Sequence, residues 1–319
     1  MRWFDLKRFG VAAMLALLGA GAAGCGWLQA GLFRSEPRVT VVDPQSGRRR
    51  TLPIEEYVKG VVAGEMGRLP AANGEEEPWP DAAYQAQAIL ARTFAMERLS
   101  RTEDGTLSTD VEEAQAYRPE GIIPAIERAV EATRGRVLMH DGDYVRAWFH
   151  SYSGGITATA REGLGFDQPE PKYIQSVELG DNPYVPTKFK AWELRVPLAE
   201  VAAALREKAG VDVGRLAQIE VSEKGPSGRI TELTLIGSSG RQTISGPAFR
   251  LALGADRMRS TLVDEIGVAD GTLFMRGRGF GHGVGMSQWD AYRMAKEGWS
   301  AERILHRFFK DVEITRAWR

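Results

Sequence analysis

The sequence predicts an α+β fold, mixed helices with antiparallel sheet hairpins, and three observations predict it. Apolar residues recur at helical spacing in several stretches, as in Tyr57, Val58, Val61 and Val62. Short apolar runs elsewhere flank turn residues, as at Asp141-Gly142-Asp143 and Gly225-Pro226-Ser227-Gly228. Helices and hairpins mix along the chain without the regular alternation of a doubly wound α/β fold. No internal repeat or low-complexity tract interrupts them.

The elements follow in order. Arg2, Lys7 and Arg8 precede an apolar run from Phe9 to Gly24, which continues to Phe33 with only Gln29 polar. A charged head before such a run is an export signal, and the whole stretch, at about 20 residues or more, is long enough to span a bilayer. Residues 1–34 are therefore expected to be a single N-terminal anchor in the cytoplasmic membrane, with residues 35–319 forming one extracytoplasmic domain. Lipidation at Cys25, after Ala22-Ala23-Gly24, is the other outcome. Residues 34–50 read as a polar linker entering a strand at Val39–Val42. Pro53 starts a helix with Glu55 and Glu56 in its first turn, ending near Glu65. A loop from Gly67 to Pro80 leads to a second helix capped by Asp81. A third helix covers Ile123–Thr133. Strands at Val137–Met139 and Val145–Phe149 form a hairpin. A helix from Leu198 to Lys208 precedes two strands around Gly225–Gly228 and another after Ser238-Ser239-Gly240. A glycine-rich loop, Gly277–Gly285, and helices at Met286–Glu297 and Ala301–Phe309 close the chain.

Composition excludes several function classes. The chain has 319 residues and a net charge of -1, so no basic excess points to nucleic acid. Its single cysteine, Cys25, leaves the domain without a disulfide framework or a cysteine metal site. Four histidines with no His-Glu-x-x-His pair make a metal site unexpected, and no cofactor is expected. No nucleophile-elbow motif surrounds Ser151 or Ser153.

Four features are candidates to carry chemistry. Glu65 ends an apolar helix, where desolvation raises a carboxyl pKa toward that of a general acid, although most helix-end glutamates are solvated surface. His282 lies among five alternating glycines of a loop that runs into a helix with Ser287 near its start. Such a loop either lies close to a ligand or forms a tight structural turn. His150 and Ser153-Gly154-Gly155 follow a strand, either lining a polyol site or capping the strand end. Gln87 and Arg92, five residues apart on one helix, differ by about 140° around its axis, so at least one braces structure.

Taken together, these stretches resemble the stage II sporulation protein D family. The blocks are Tyr57–Met66, Ala86-Gln87-Ala88 through Ala91-Arg92-Thr93, Phe149–Gly155, Thr243–Arg250 and Gly279–Gln288, in the family's order. The resemblance implies a lytic transglycosylase that cuts peptidoglycan glycan strands between N-acetylmuramic acid and N-acetylglucosamine and leaves a 1,6-anhydro sugar. It implies a preference for strands whose stem peptides an amidase has removed. It also implies a role in engulfment during sporulation, with a cell-wall amidase and a membrane protein as partners. The family's catalytic glutamate falls on Glu65. A catalytic cleft between the N- and C-terminal parts of the domain would then draw substrate contacts from the matched blocks: Gln87, Arg92, His150, Ser151, Ser153, His282, Gly283, Ser287 and Gln288. The loop after Glu65 is longer than usual. The stretch Thr109–Tyr117 lacks the cysteine and histidine that hold a structural zinc in some members. A glycan-binding enhancer of an amidase, without chemistry of its own, is the competing reading. A hydrolase would need a second carboxylate, such as Glu162 or Asp290.

Overall fold

The structure, a computed structural model, describes residues 35–43, 46–70, 76–101, 106–108 and 115–318. The expected anchor, the centre of the loop after Glu65 and most of the stretch Thr109–Tyr117 lie outside these residues. Among the described residues no helix is long and apolar enough to cross a membrane.

The chain enters on β1 (Arg38–Val42), which pairs antiparallel with β2 (Arg49–Pro53). The expected strand at Val39–Val42 forms, and the end of the expected linker joins it as β2, because Val39, Val41 and Leu52 supply apolar positions for the core below. Helix α1 (Ile54–Glu65) follows Pro53 directly and buries Tyr57, Val58, Val61 and Val62. A two-residue ladder, β3 (Leu69–Pro70) and β4 (Glu76–Glu77), shapes the next loop. Helix α2 (Asp81–Arg101) comes next. Its first N–H groups turn back to the Pro80 carbonyl, which makes Asp81 the first helical residue rather than the cap.

Helix α2 is the axis of the molecule. Ala83, Tyr84, Ala88, Ala91 and Ala95 face one core, with α1 and the later helix α3 (Pro124–Ala132), while Ala86, Ile89 and Leu90 face a second. Alanine at four of the six buried positions on the first face, which also carries Met96, lets neighbouring helices approach closely. Strand β5 (Thr106–Ser108) extends the first sheet beside β1.

The predicted hairpin forms as β6 (Arg136–His140) and β7 (Asp143–Tyr144). Asp141 at φ 50° and Gly142 at φ 85° give the two left-handed residues of a type I′ turn. Its second strand stops early because the Arg146 N–H donates to the Tyr173 hydroxyl instead of to a strand. Extended structure resumes in β8 (Phe149–His150). Short helices α4 (Ala160–Leu164) and α5 (Thr187–Lys190) follow.

A third core has its own walls. Strand β9 (Trp192–Pro197), helix α6 (Leu198–Ala209), the meander β10 (Leu216–Lys224), β11 (Ile230–Gly237), β12 (Gly240–Ser245), helix α7 (Gly246–Leu253), and the hairpin β13 (Val263–Ala269) and β14 (Thr272–Gly277) enclose it. Strand β14 pairs with β13 on one side and with β9, far earlier in the chain, on the other. The chain then returns to the second core through β15 (Met286–Ser287), α8 (Gln288–Lys296) and α9 (Ala301–Phe308), and ends on β16 (Glu313–Arg316) against β6.

One buried ion pair ties both ends of the domain to the centre. Arg92, with no exposed surface, binds Glu55 through Nη2 to Oε2 at 2.6 Å and Nε to Oε1 at 3.1 Å. Glu55 also accepts the Gly135 N–H and the Trp318 indole N–H, while Arg92 Nη1 donates to the Arg136 carbonyl. The pair is well satisfied, as a buried charge must be. Burial holds the Arg92 guanidinium below its usual range, against the upward pull of Glu55. Glu55 was expected only as a first-turn acid on the helix dipole; its side chain turns inward instead.

Candidate active site

Glu65 is the last residue of α1 and is half-buried. Its Oε1 accepts the Ala116 N–H at 2.7 Å. Burial pushes its carboxyl up to about 7, and the Ala116 hydrogen bond opposes that only in part. The segment carrying Ala116 lies tight against the helix. A Cβ on Gly64 would meet the Ala116 carbonyl at 2.4 Å, and one on Gly60 would meet the Tyr117 ring at 2.3 Å. Tyr117 stacks on Tyr57 at 5.6 Å. Tyr57 donates to Gln115 at 3.4 Å, and burial, with the nearby Glu65 carboxyl, raises its pKa.

The second centre is the seam between residues 149–158 and the glycine loop. Tyr152 bridges to Phe280 and Ala158 to Val284, while β8 runs parallel to β15. His150 is buried with Nδ1 on the Val284 carbonyl, and His282 Nδ1 accepts the Val284 N–H. The two rings lie 5.6 Å apart. Burial, together with the Arg250 and Arg229 charges, drives His282 down to about 3, so it is neutral at any physiological pH. Burial and the His282 neighbour lower His150 as well. Behind them Asp290, fully buried, accepts from Ser153 Oγ at 2.6 Å, Ser287 Oγ at 2.5 Å and Asn182 Nδ2 at 3.1 Å.

Aromatic rings connect the two centres. The carbonyl of Met66, next to Glu65, accepts the Trp79 indole N–H at 3.1 Å. Trp79 packs on Trp289 of α8 at 5.1 Å and edge-on to Tyr292 at 5.7 Å. Phe189 contacts both Trp289 and Phe280 of the glycine loop.

Comparison with known proteins places this arrangement. A family model described as Stage II sporulation protein matches residues 44–140, the part carrying Glu65 and Arg92. A domain of unknown function, DUF8618, matches residues 176–285, which contain the third core. An uncharacterized protein of Brachyspira hyodysenteriae is 30% identical over 274 residues, spanning 82% of this chain and 67% of that protein. Stage II sporulation protein D of Bacillus subtilis is 29% identical over 289 residues, 83% of this chain and 75% of the relative. The chain belongs to the stage II sporulation protein D family. A more distant relative, named Amidase enhancer, also of Bacillus subtilis, is 25% identical over 81% of this chain and 40% of its own length.

Within this family member, the residues expected to touch substrate divide. Ser151 and His282 keep partial exposure. Arg92 is corrected from a substrate contact to a brace, since its guanidinium is enclosed and paired with Glu55. Ser153 and Ser287 are also corrected: both are buried, and their hydroxyls are held by Asp290. The first turn of α8 is not open to a sugar either, because the Trp289 N–H donates to the Ser151 carbonyl. Gln87 and Gln288 are buried against each other, Nε2 of Gln288 donating to Oε1 of Gln87 at 3.4 Å. His150 is likewise enclosed.

The glycines of the loop serve the protein's own packing. A Cβ on Gly283, at φ +85°, would lie 2.6 Å from the buried Arg229 guanidinium. One on Gly285 would lie 2.0 Å from the Trp148 carbonyl. Sequence reasoning missed Trp79, Trp289 and Ala116. Trp79 between two prolines and Trp289 directly after the glycine-loop block were legible signals; Ala116 acts through its backbone and leaves none.

This seam can be tested. Ser287 Oγ donates to Asp290 and accepts the Ser153 N–H at 3.1 Å. Ser287→Ala leaves a buried N–H unpaired and should cost about 1–3 kcal/mol. Urea unfolding monitored by circular dichroism reads it; an unchanged midpoint would mean the hydroxyl is not holding the seam.

Proposed function

We propose that the chain is a lytic transglycosylase acting on peptidoglycan glycan strands, with Glu65 as its single acid and base. The observation that carries this reading is the half-buried Glu65 carboxyl, pushed up to about 7 and therefore substantially protonated near neutral pH. The protonated form donates to the glycosidic oxygen as the muramic acid C1–O bond breaks. The carboxylate left behind takes the proton from the C6 hydroxyl of the same sugar as its oxygen closes on C1. No water enters, and the sugar leaves as the 1,6-anhydro form.

A two-carboxylate hydrolase has less support. Glu162 is buried, with Oε1 on Ser227 and Oε2 on Thr159, and Asp290 is enclosed by three donors. Among the described residues neither of the two suggested partners is open to activate water. In this reading the cleft lies between the end of α1 and the C-terminal segment, which the contact of Trp79 with Trp289 brings alongside. The names of the relatives favour a role in sporulation, and the anchoring stretch at residues 9–33 would hold the enzyme on the outer side of the cytoplasmic membrane. A cell-wall amidase that strips stem peptides would act with it, alongside a membrane protein of the engulfment machinery.

The relative named Amidase enhancer supports a second reading, a glycan-binding protein that stimulates an amidase without cutting glycan. Mass spectrometry of peptide-free strands incubated with the purified chain separates them. The enzyme reading expects 1,6-anhydro ends, formed equally with chelator present. Reducing ends alone would indicate a hydrolase, and intact strands with a stimulated amidase would indicate the enhancer.

A further inference from the structure

Residues 115–118 lie in a notch cut into α1. Gly60 and Gly64 are one helical turn apart and share a face of the helix. A Cβ at either position would overlap this segment, meeting the Tyr117 ring at Gly60 and the Ala116 carbonyl at Gly64. Each of the four residues then grips the helix. Gln115 Oε1 accepts the Tyr57 hydroxyl, and the Ala116 N–H donates to Glu65 Oε1. The Tyr117 ring stacks on Tyr57 with the two planes 15° apart. The Arg118 N–H donates to the Gly60 carbonyl at 2.9 Å. Gln115 and Tyr57 are buried, and Tyr117 is half-buried over them.

This docking acts on the carboxyl in two ways. A glutamate at a helix end would ordinarily stand in water, but the Ala116 peptide lies against Gly64 beside it and covers it. The same peptide also distinguishes the two oxygens. An N–H pairs best with the carbonyl oxygen of a neutral acid, so the donor on Oε1 leaves the proton to Oε2. Among the ionisable groups nearby, Tyr57 faces the carboxyl and stays neutral because its pKa is raised. Arg50, Glu56 and Glu120 surround Tyr117.

We propose that Tyr117 is a positioning residue for the acid: its ring latches residues 115–118 into the Gly60–Gly64 notch, and the latched segment keeps water off Glu65 and holds Oε1, leaving Oε2 to carry the proton. The inference rests on Glu65 being the acid of the reaction proposed above. Tyr117 acts through the Ala116 peptide, fifty-one positions from the carboxyl in the chain.

Two substitutions open the latch in different ways. Tyr117→Ala removes the ring. Gly64→Ala puts a methyl group where the Ala116 carbonyl lies, while giving α1 a better helix former. Tyr117→Phe keeps the ring and is the conservative variant. The full chain, labelled with carbon-13 at its glutamate carboxyls, is titrated by NMR, with Glu65→Gln assigning the signal. Wild type and Tyr117→Phe should titrate at about 7, and both opened variants should move down toward 4.5 as water reaches the carboxyl. On glycan strands near neutral pH, kcat and kcat/KM of the opened variants should fall together by about ten- to a hundredfold. The falling limb of their pH profile should move to lower pH with the titration, whereas packing lost elsewhere would lower stability and move neither. Circular dichroism checks each fold, and Gly64→Ala decides if Tyr117→Ala does not fold. An unmoved titration in a folded, opened variant would overturn the proposal, and so would a shift in Tyr117→Phe equal to that in Tyr117→Ala. A wild-type chain that titrates as expected but cleaves no glycan would refute the enzyme reading and leave the latch standing.

Discussion

Glu65→Gln should lower glycan cleavage by about 10²–10⁴-fold or more while the domain stays folded. The amide oxygen of glutamine still accepts the Ala116 N–H that the carboxylate accepts at 2.7 Å, so the end of α1 keeps its anchor. What disappears is the exchangeable proton. Quantifying anhydro ends released from peptide-free strands measures the loss, and near wild-type release would remove Glu65 from the chemistry. The wild-type enzyme should also show a pH signature. The first step needs the protonated carboxyl, so the rate should fall as pH rises through about 7.

Stability should move with pH in the same direction. The folded carboxyl holds its proton to about 7, whereas an unfolded glutamate releases it near 4.5. Between those values the native state binds more protons, so stability falls as pH rises across that window. Glu65→Gln removes this dependence and should make the protein more stable than wild type at pH 8, as expected where a functional group is held at a cost to the fold. Denaturant titrations at pH 5 and pH 8 for both proteins check the sign.

The second large effect belongs to the buried pair. Arg92→Ala should destabilise the domain by about 3–5 kcal/mol, because Glu55 is left as an enclosed charge without its cation. Glu55→Ala should cost a similar amount. Replacing both with apolar residues, Arg92→Met with Glu55→Leu, should recover part of the loss. Urea unfolding reads all three. A substrate-binding arginine would behave differently, raising KM with stability intact, and that outcome would overturn its role as a brace.

These two residues show how differently sequence and structure speak. Glu65 was legible: an apolar helix ends on a carboxylate, and the surrounding block matches a family. The local pattern alone implied desolvation, and the structure shows its source in the Ala116 segment pressed on Gly64. Arg92 was legible only as one of two residues of which at least one braces structure, and its partner was not legible at all. Glu55 lies 37 positions away and looks like an ordinary first-turn acid. Membership of a matched block did not separate residues that keep some exposure from residues enclosed in the structural frame. Ser153, Ser287 and Arg92 belong to the frame.

By itself the sequence determined the α+β class, the main helices, the hairpin at Asp141-Gly142 and the candidate acid. Each of these depends on local periodicity, turn chemistry or burial along one helix. The tertiary structure decided the rest. It set the return of the glycine loop onto residues 148–158, the pairing of β9 with β14, and the stacking of Trp79 on Trp289. It also decided which polar groups of the matched blocks are enclosed. The physical reason is that a side chain's partner is chosen by packing between elements distant in the chain, and neither a period of 3.6 nor a period of two records which elements will meet.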